Sequence, residues 1–273
     1  MLKMLKKIAH GLTNPFRSVW TKRAAIVQIS KNDIKSRYAG SFFGLFWALL
    51  YPLLFLACYA AVYIFIFKVD SGVFTGIHYV IFIFSGLVPF LGFSESFSAG
   101  ASSVVSNIGL LKNTLFPIEY VPVKTVITSS VTQAMGFLIV LAALVFTGRI
   151  GLTTPFFLMI WFFQLLFEIG IAWILSAIMV VVRDLQNVVN ILTMMMMLMS
   201  PIAYPPGTAT GVMAVLLQIN PAYYVIVPYQ QVFMYGQLPG ADVFGKLVLI
   251  SCLVFIAGYY FFLRMKRIFS DYV

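Results

Sequence analysis

Thirty consecutive positions without a charged side chain, Tyr38 to Phe67, follow directly on a basic segment that contains Lys31, Lys35 and Arg37. A helix needs only about 20 apolar residues to cross the hydrocarbon core of a bilayer. The run therefore reads as a membrane crossing with residues to spare. Its cationic flank holds the N-terminal end in the cytoplasm. Everything downstream is threaded from that first crossing.

The rest of the chain has the same character. Of its 273 residues, 62% are hydrophobic and 10% charged, against about 25% charged in a soluble domain. There is too little polar surface to cover a water-soluble globule, so the chain is read as a polytopic membrane protein. The net charge of +10 does not point to nucleic acid. Nine of the 18 lysines and arginines lie at or before Arg37, which topology explains. The same cluster favours anionic lipid headgroups. Cys58 and Cys252 both sit in apolar runs and fit neither a disulfide framework nor a metal site. The opening MLKMLKKIAHGLTNPF is basic but lacks the short apolar core and cleavage site of a signal peptide.

Asn14-Pro15 is a helix-start signal. Beyond it, Trp20, Ala24, Val27, Ile34 and Tyr38 recur at spacings of four and three, with Lys31 in the missing place. Such a helix lies in the membrane interface with Lys31 snorkelling to water, or is an ordinary cytoplasmic helix. Ala25, Ile26 and Ile29 fall off the stripe. Spans are expected at about 42–67, 79–97, 124–146, 156–182, 188–204 and 247–263. Residues 102–122 are expected in the cytoplasm, and Pro205-Pro206 is expected to stop the fifth span.

From Leu185 to Ala241 no residue is charged, and proline recurs at 201, 205, 206, 221, 228 and 239. If 212–235 crossed once, the final Arg264, Lys266 and Arg267 would be exterior, against the positive-inside rule. This region is therefore expected to stay exterior or to dip in and return. Its one or two short helices should break at Asn220-Pro221 and pack against the outer mouth. Fifteen lysines and arginines then fall on the cytoplasmic side, against Lys68, Arg149 and Lys246 outside. The expected fold class is an all-α membrane protein of six transmembrane helices with both termini cytoplasmic. It comprises a cytoplasmic segment and interfacial amphipathic helix (1–37), a transmembrane domain (38–264) with exterior re-entrant helices between spans 5 and 6, and a cytoplasmic tail (265–273).

No catalytic constellation stands out. His10 and His78 lack metal-ligand spacing, and no phosphate-cradling glycine loop is present, so ATP hydrolysis by this chain is not expected. Glu95 lies near a span end and Glu168 near the middle of the fourth span. A mid-membrane carboxylate is a functional candidate by default; the alternative is a protonated glutamate bonded to a neighbouring helix. Tyr51, Tyr59 and Tyr63 fall at spacings of eight and four on one face of the first span. They read either as a slippery path for sugar rings or as helix packing. The run Met194–Met197 suggests adaptable packing.

The order of Asp33, Ile34, Lys35, Arg37-Tyr38, Ser41, Gly44, Trp47 and Pro52 resembles the opening of the ABC-2 permeases that export polysaccharides. The loop sequence LLKNTLFPIEYVPV, Arg183-Asp184 after the fourth span and Asn220-Pro221 are similar to the same family. Together these features run from about Lys31 to Arg267. Asn32 departs from the pattern, since an acidic residue or arginine is frequent there. The resemblance implies one half of a permease in the bacterial inner membrane. Two copies form the channel as a homodimer, and two copies of a separate ABC ATPase dock beneath. This non-catalytic chain would bind no cofactor; ATP and Mg would sit on the ATPase. The substrate would be an undecaprenyl-diphosphate-linked polysaccharide, O-antigen by preference, with capsule or teichoic-acid polymer, or a small lipid or drug, as alternatives. Leu111, Lys112, Phe116 and Pro117 would dock into the ATPase, or form a lipid-facing loop. Lys31, Lys35 and Arg37 would receive the lipid diphosphate, or serve topology alone. Arg183 and Asp184 are expected to cap the fourth span and pin the fifth.

Overall fold

The structure is a computed structural model that describes residues 14–37, 39–66, 74–107 and 117–271. These residues form helices and connecting turns, with no strand among them. Residues 14–21 are helical and lead into α1 (Arg23–Arg37). The buried side of α1 carries Ile26 and Ser30. Trp20 (68% exposed) and Val27 (44%) face outward. The expected apolar stripe is thus the outer face, and the off-stripe Ile26 makes the protein contact. The reason is a polar register: α1 is held on α4 (Val121–Phe146) through Ser30 and Asp33 rather than through its apolar side.

The first apolar run folds as α2 (Trp47–Ala61), entered by a 3-10 turn at Gly44–Phe46 and continued by a π turn at Val62–Ile66. Next comes α3 (Ile77–Ser106), 30 residues long, or about 45 Å at 1.5 Å per residue. It runs nine residues past the expected end at 97, so residues 102–106 are helix rather than loop. The small residues there allow close packing: a Cβ on Gly100 would lie 2.8 Å from the Ala172 methyl. Small side chains let membrane helices approach closely.

A 3-10 turn at Ile118–Tyr120 starts α4, whose Pro122 sits in the first turn, where no donor is missed. α5 (Phe157–Val181) matches the expected fourth span within a residue at each end. α6 (Leu185–Met199) does not reach 204. Pro201 lacks a donor and forces Ser200 into an extended conformation (ψ 145°), ending the helix there. Its 15 residues reach only about 22 Å, short of a bilayer core. The buried segment 200–203 continues it.

α7 (Val212–Ile219) and α8 (Pro221–Phe233) meet at 91° across Asn220, the expected break. α8 lies inside the bundle, with Ile226 and Tyr229 fully buried. α7 is exposed at Val212 (76%) and Ile219 (72%). α9 (Ala241–Met265) ends in a 3-10 turn, Lys266–Asp271.

Four helical stretches among the described residues are long and apolar enough to cross a membrane: Ile77–Ser106, Ile118–Phe146, Thr154–Val181 and Ala241–Phe269. The bent α7–α8 pair would make a fifth if counted as one span. The chain is a multi-pass membrane protein. α3 is the central helix, packing on α4, α5, α6 and α8. Its Phe82, Phe90 and Phe93 lie in the larger core. A second core surrounds Trp173, with Ile26, Val121 and Phe262. α5 and α9 touch backbone to backbone, since a Cβ on Gly258 would collide with the Gly170 carbonyl.

Candidate functional site

Three ion pairs occur among the described residues, and each joins elements distant in sequence. Lys124 Nζ lies 2.6 Å from Asp33 Oδ2 and 3.3 Å from Asn107 Oδ1. Its side chain is only 6% exposed, so without Asp33 a buried cation would lose its counter-charge. Arg37 Nη1 lies 2.7 Å from Glu95 Oε1, and Lys266 Nζ 2.7 Å from Glu119 Oε2. The first two pairs tether α1 to α4 and to α3.

A cavity of about 790 Å³ opens beside the Arg37–Glu95 pair. From α2 it receives Trp47, Tyr51 and Pro52. From α3 come Ser94, Glu95, Ser98 and Ser102. α4 supplies Thr132 and Gln133, and α6 supplies Asn190, Thr193 and Met197. Its lining combines aromatic rings, hydroxyls and amides with the aliphatic and thioether side chains of Val88, Leu91, Met194 and Met197. The polar wall follows from helix periodicity: Ser94, Ser98 and Ser102 recur every fourth residue and so share a face.

Behind Gln133 lies a buried polar network. Gln164 Nε2 donates to Glu168 Oε1 (2.7 Å) and to the Pro89 carbonyl (3.1 Å). Gln164 Oε1 accepts from Gln133 Nε2 (3.0 Å) and from the Tyr229 hydroxyl (2.8 Å). The network knits α3, α4, α5 and α8. Glu168 is 1% exposed, and its Oε2 has no hydrogen-bond partner. The Ser96 hydroxyl lies against this carboxyl, outside hydrogen-bonding geometry.

The α7–α8 bend is clamped to the end of α6. Asn220 Oδ1 accepts from the Ala222 amide (3.0 Å), a side-chain N-cap. Its Nδ2 donates to the Met196 carbonyl (3.2 Å) and to Ser200 Oγ (3.0 Å). Gln230 Nε2 donates to the Pro201 carbonyl (2.9 Å), and the Tyr79 hydroxyl to the Ala203 carbonyl (2.9 Å). Irregular backbone at membrane depth must find partners inside the protein, and segment 200–203 finds them here.

The structure separates some of the residues singled out from the sequence. Arg37 reaches the cavity, while Lys31 and Lys35 are exposed on α1. Tyr51 lines the cavity and stacks on Phe55 (centroids 6.4 Å apart), which stacks on Tyr59 (6.4 Å). The ladder is therefore 51, 55, 59, and Phe55 is the rung that a tyrosine-only reading missed. The side chain of Tyr63 lies outside the described residues, as do Leu111, Lys112 and Phe116. Pro117 is extended (ψ 132°) before the 3-10 turn. Arg183 and Asp184 are exposed. Asp184 occupies the N-cap position of α6 without a side-chain cap bond. Asn220 and Pro221 form the clamped bend, with Pro221 at the first helical position of α8. Lys124, Gln133, Gln164, Gln186 and Asn190 were not singled out. A polar residue in the middle of an expected span was the available signal for Gln133 and for Gln164.

Comparison with known proteins gives the family. Residues 24–234 match the model of the ABC-2 type transporter family. An O-antigen export system permease protein RfbA from Myxococcus xanthus is 27% identical over 262 residues, covering 93% of this chain and 97% of that protein. Two proteins of the same name from Klebsiella pneumoniae are each 27% identical over 252 residues, covering 90% of this chain and 93% of theirs. The family is one of non-catalytic membrane permeases that work with an ABC ATPase. The chain, with its tethered N-terminal helix, its central helical bundle and its clamped bend, belongs to the ABC-2 type transporter membrane family.

Proposed function

We propose that this chain is the transmembrane subunit of an ATP-driven exporter that moves a lipid-linked polysaccharide out of the cytoplasm across the bacterial inner membrane. O-antigen is the favoured cargo. The observation that carries the reading is the cavity, whose lining brings the Trp47 and Tyr51 rings together with hydroxyls and amides of α3 and α6. Sugars present both C–H faces, which pack on aromatic rings, and hydroxyls, which need hydrogen-bonding partners. An apolar cargo would leave the polar wall unpaired, at a cost for each desolvated group. The names of the relatives favour the same cargo.

The working unit is a homodimer of this chain with two copies of an ABC ATPase, and ATP and Mg are held by the ATPase. The exposed apolar faces of α2 and α6, at Leu54 (56%), Met194 (66%) and Leu198 (72%), flank the cavity and support pairing there. Six spans with cytoplasmic termini put Lys31, Lys35 and Arg37 on the side where a lipid diphosphate enters, with Arg37 nearest the cavity. Leu111, Lys112, Phe116 and Pro117 contact the ATPase. α1 lies in the interface with Trp20 and Val27 toward lipid, and the Asp33–Lys124 pair passes its motion to α4. Tyr51, Phe55 and Tyr59 continue the path outward.

Purification of the tagged chain from its native cell in mild detergent tests the assembly. A stoichiometric partner carrying an ATP-binding Walker sequence is expected, together with loss of surface polysaccharide when the chain is removed. A chain that comes out alone and folded, in cells whose surface polysaccharide does not depend on it, would sink the reading.

A further inference from the structure

The cavity wall between α3 and α6 contains a side-chain cluster more ordered than transport along an aromatic path requires. Gln186 Nε2 donates to Ser98 Oγ (2.9 Å) and to Asn190 Oδ1 (3.2 Å). Ser98 Oγ donates in turn to Asn190 Oδ1 (3.2 Å). Both lone pairs of the Asn190 carbonyl oxygen are thus engaged, and its two N–H donors remain for the cavity that it lines. Gln186 Oε1 is buried without a partner. An unpaired buried acceptor is costly, while the nitrogen of the same amide holds both Ser98 and Asn190. One turn before Ser98, Glu95 is anchored through Oε1 by Arg37 and is 25% exposed. Ser94 lies four residues before Ser98 on the same face.

We infer that Glu95, Ser94 and Asn190 form a fixed binding subsite for the hydroxyls of a neutral sugar unit, with Trp47 and Tyr51 receiving its C–H face and Gln186 acting as the positioning residue. The inference rests on the polysaccharide reading above and names the point in the cavity where one sugar is held. Its chemistry is complementary to a diol. The amide supplies donors to hydroxyl oxygens, the carboxylate accepts from hydroxyl protons, and bonds to an ionised group are the stronger ones. A diphosphate is not matched here, because the one cation among the described residues of this wall, the Arg37 guanidinium, is already paired with Glu95. An acyl chain does not fit either, because it pairs with none of these groups. The lipid diphosphate and the sugar are therefore received at different places, the first at the exposed cations of α1 and the second on the α3–α6 wall.

The test uses cells that make their own polymer. The photo-crosslinker p-benzoylphenylalanine replaces Asn190 in one variant, Ser94 in a second and Leu253 in a third, the last being exposed on α9. After irradiation, adducts that stain for sugar are expected at 190 and 94 and not at 253. Because a bulky group can disturb packing, Asn190→Ala is measured in parallel at matched protein level. Its export rate should fall about tenfold, equivalent to ~1.4 kcal/mol. Gln186→Leu should raise the polymer supply needed for half-maximal export and leave the maximal rate unchanged, as loss of positioning alone predicts. Unaltered export by both variants, or adducts at 190 containing lipid without sugar, overturns the subsite while the exporter reading stands. Export that persists after removal of the chain overturns the exporter reading itself.

Discussion

At the scale of single residues, the contact between α5 and α9 depends on the absence of side chains. A Cβ on Gly170 would sit 2.6 Å from the Val254 carbonyl, and one on Gly258 would collide with the Gly170 carbonyl. The atoms in the way are backbone, which cannot rotate aside. Gly245 lies on the same helix with nothing within 4 Å of its would-be Cβ. Glycine in a helix costs about 0.5–1 kcal/mol relative to alanine, so the two positions should respond in opposite directions. Gly245→Ala should leave the thermal midpoint in detergent unchanged or slightly raised. Gly258→Ala should lower it, by the ~1–3 kcal/mol typical of overpacking. Equal midpoints for the two variants would contradict the α5–α9 crossing. In the sequence Gly245 stands beside Lys246 and Gly258 within an apolar run, and neither neighbourhood shows what packs against the glycine. What separates them is which helix arrives opposite, a property of the bundle and not of the run.

At the scale of elements, much was legible and the exceptions have physical causes. The ends of α5 follow from Thr154-Pro155 and from the charges at 183–184, and the bend at Asn220 follows from a capping residue followed by proline. The end of α3 was misplaced because serine, glycine and alanine read as loop, whereas here they permit the close approach at Gly100. The polar wall of the cavity was hidden for a related reason. Ser98, Gln186 and Asn190 are unremarkable singly and acquire meaning only when α6 lies along α3. The clamp at the bend carries its own prediction. Asn220→Ala removes the N-cap of α8 and both bonds to the end of α6. Capping losses alone cost about 0.5–2 kcal/mol. Segment 200–203 should then open locally. Ile202→Cys, fully buried in the intact protein, should react with a maleimide severalfold faster when Asn220→Ala is also present. No change in its labelling rate would remove Asn220 from the clamp.

At the scale of the whole molecule, the question is how helices of unequal length make a consistent set of crossings. Four are long enough alone. α2 and its π turn make 20 residues, about 30 Å of helix, which matches a bilayer core. α6 is too short, yet segment 200–203 extends it, with Ser200 Oγ and the carbonyls of Pro201 and Ala203 accepting from Asn220, Gln230 and Tyr79. A crossing completed by shielded irregular backbone is physically admissible. If α6 crosses and the α7–α8 pair dips and returns, six spans result and Arg264, Lys266 and Arg267 stay inside. A pair that crossed once would put all three outside, against the charge bias that orients membrane proteins. Three exposed positions separate the arrangements: Thr208, Gln237 and Ile268. Each is changed to cysteine in a background carrying Cys58→Ser and Cys252→Ser, and labelled in intact inner-membrane spheroplasts with an impermeant maleimide. The six-span arrangement predicts that Thr208→Cys and Gln237→Cys react and that Ile268→Cys reacts only after permeabilisation. Reaction at 208 and 268 but not at 237 means that the bent pair crosses. Protection of 208 and 237 together means that α6 does not cross, and the re-entrant pair would then enter from the cytoplasmic side.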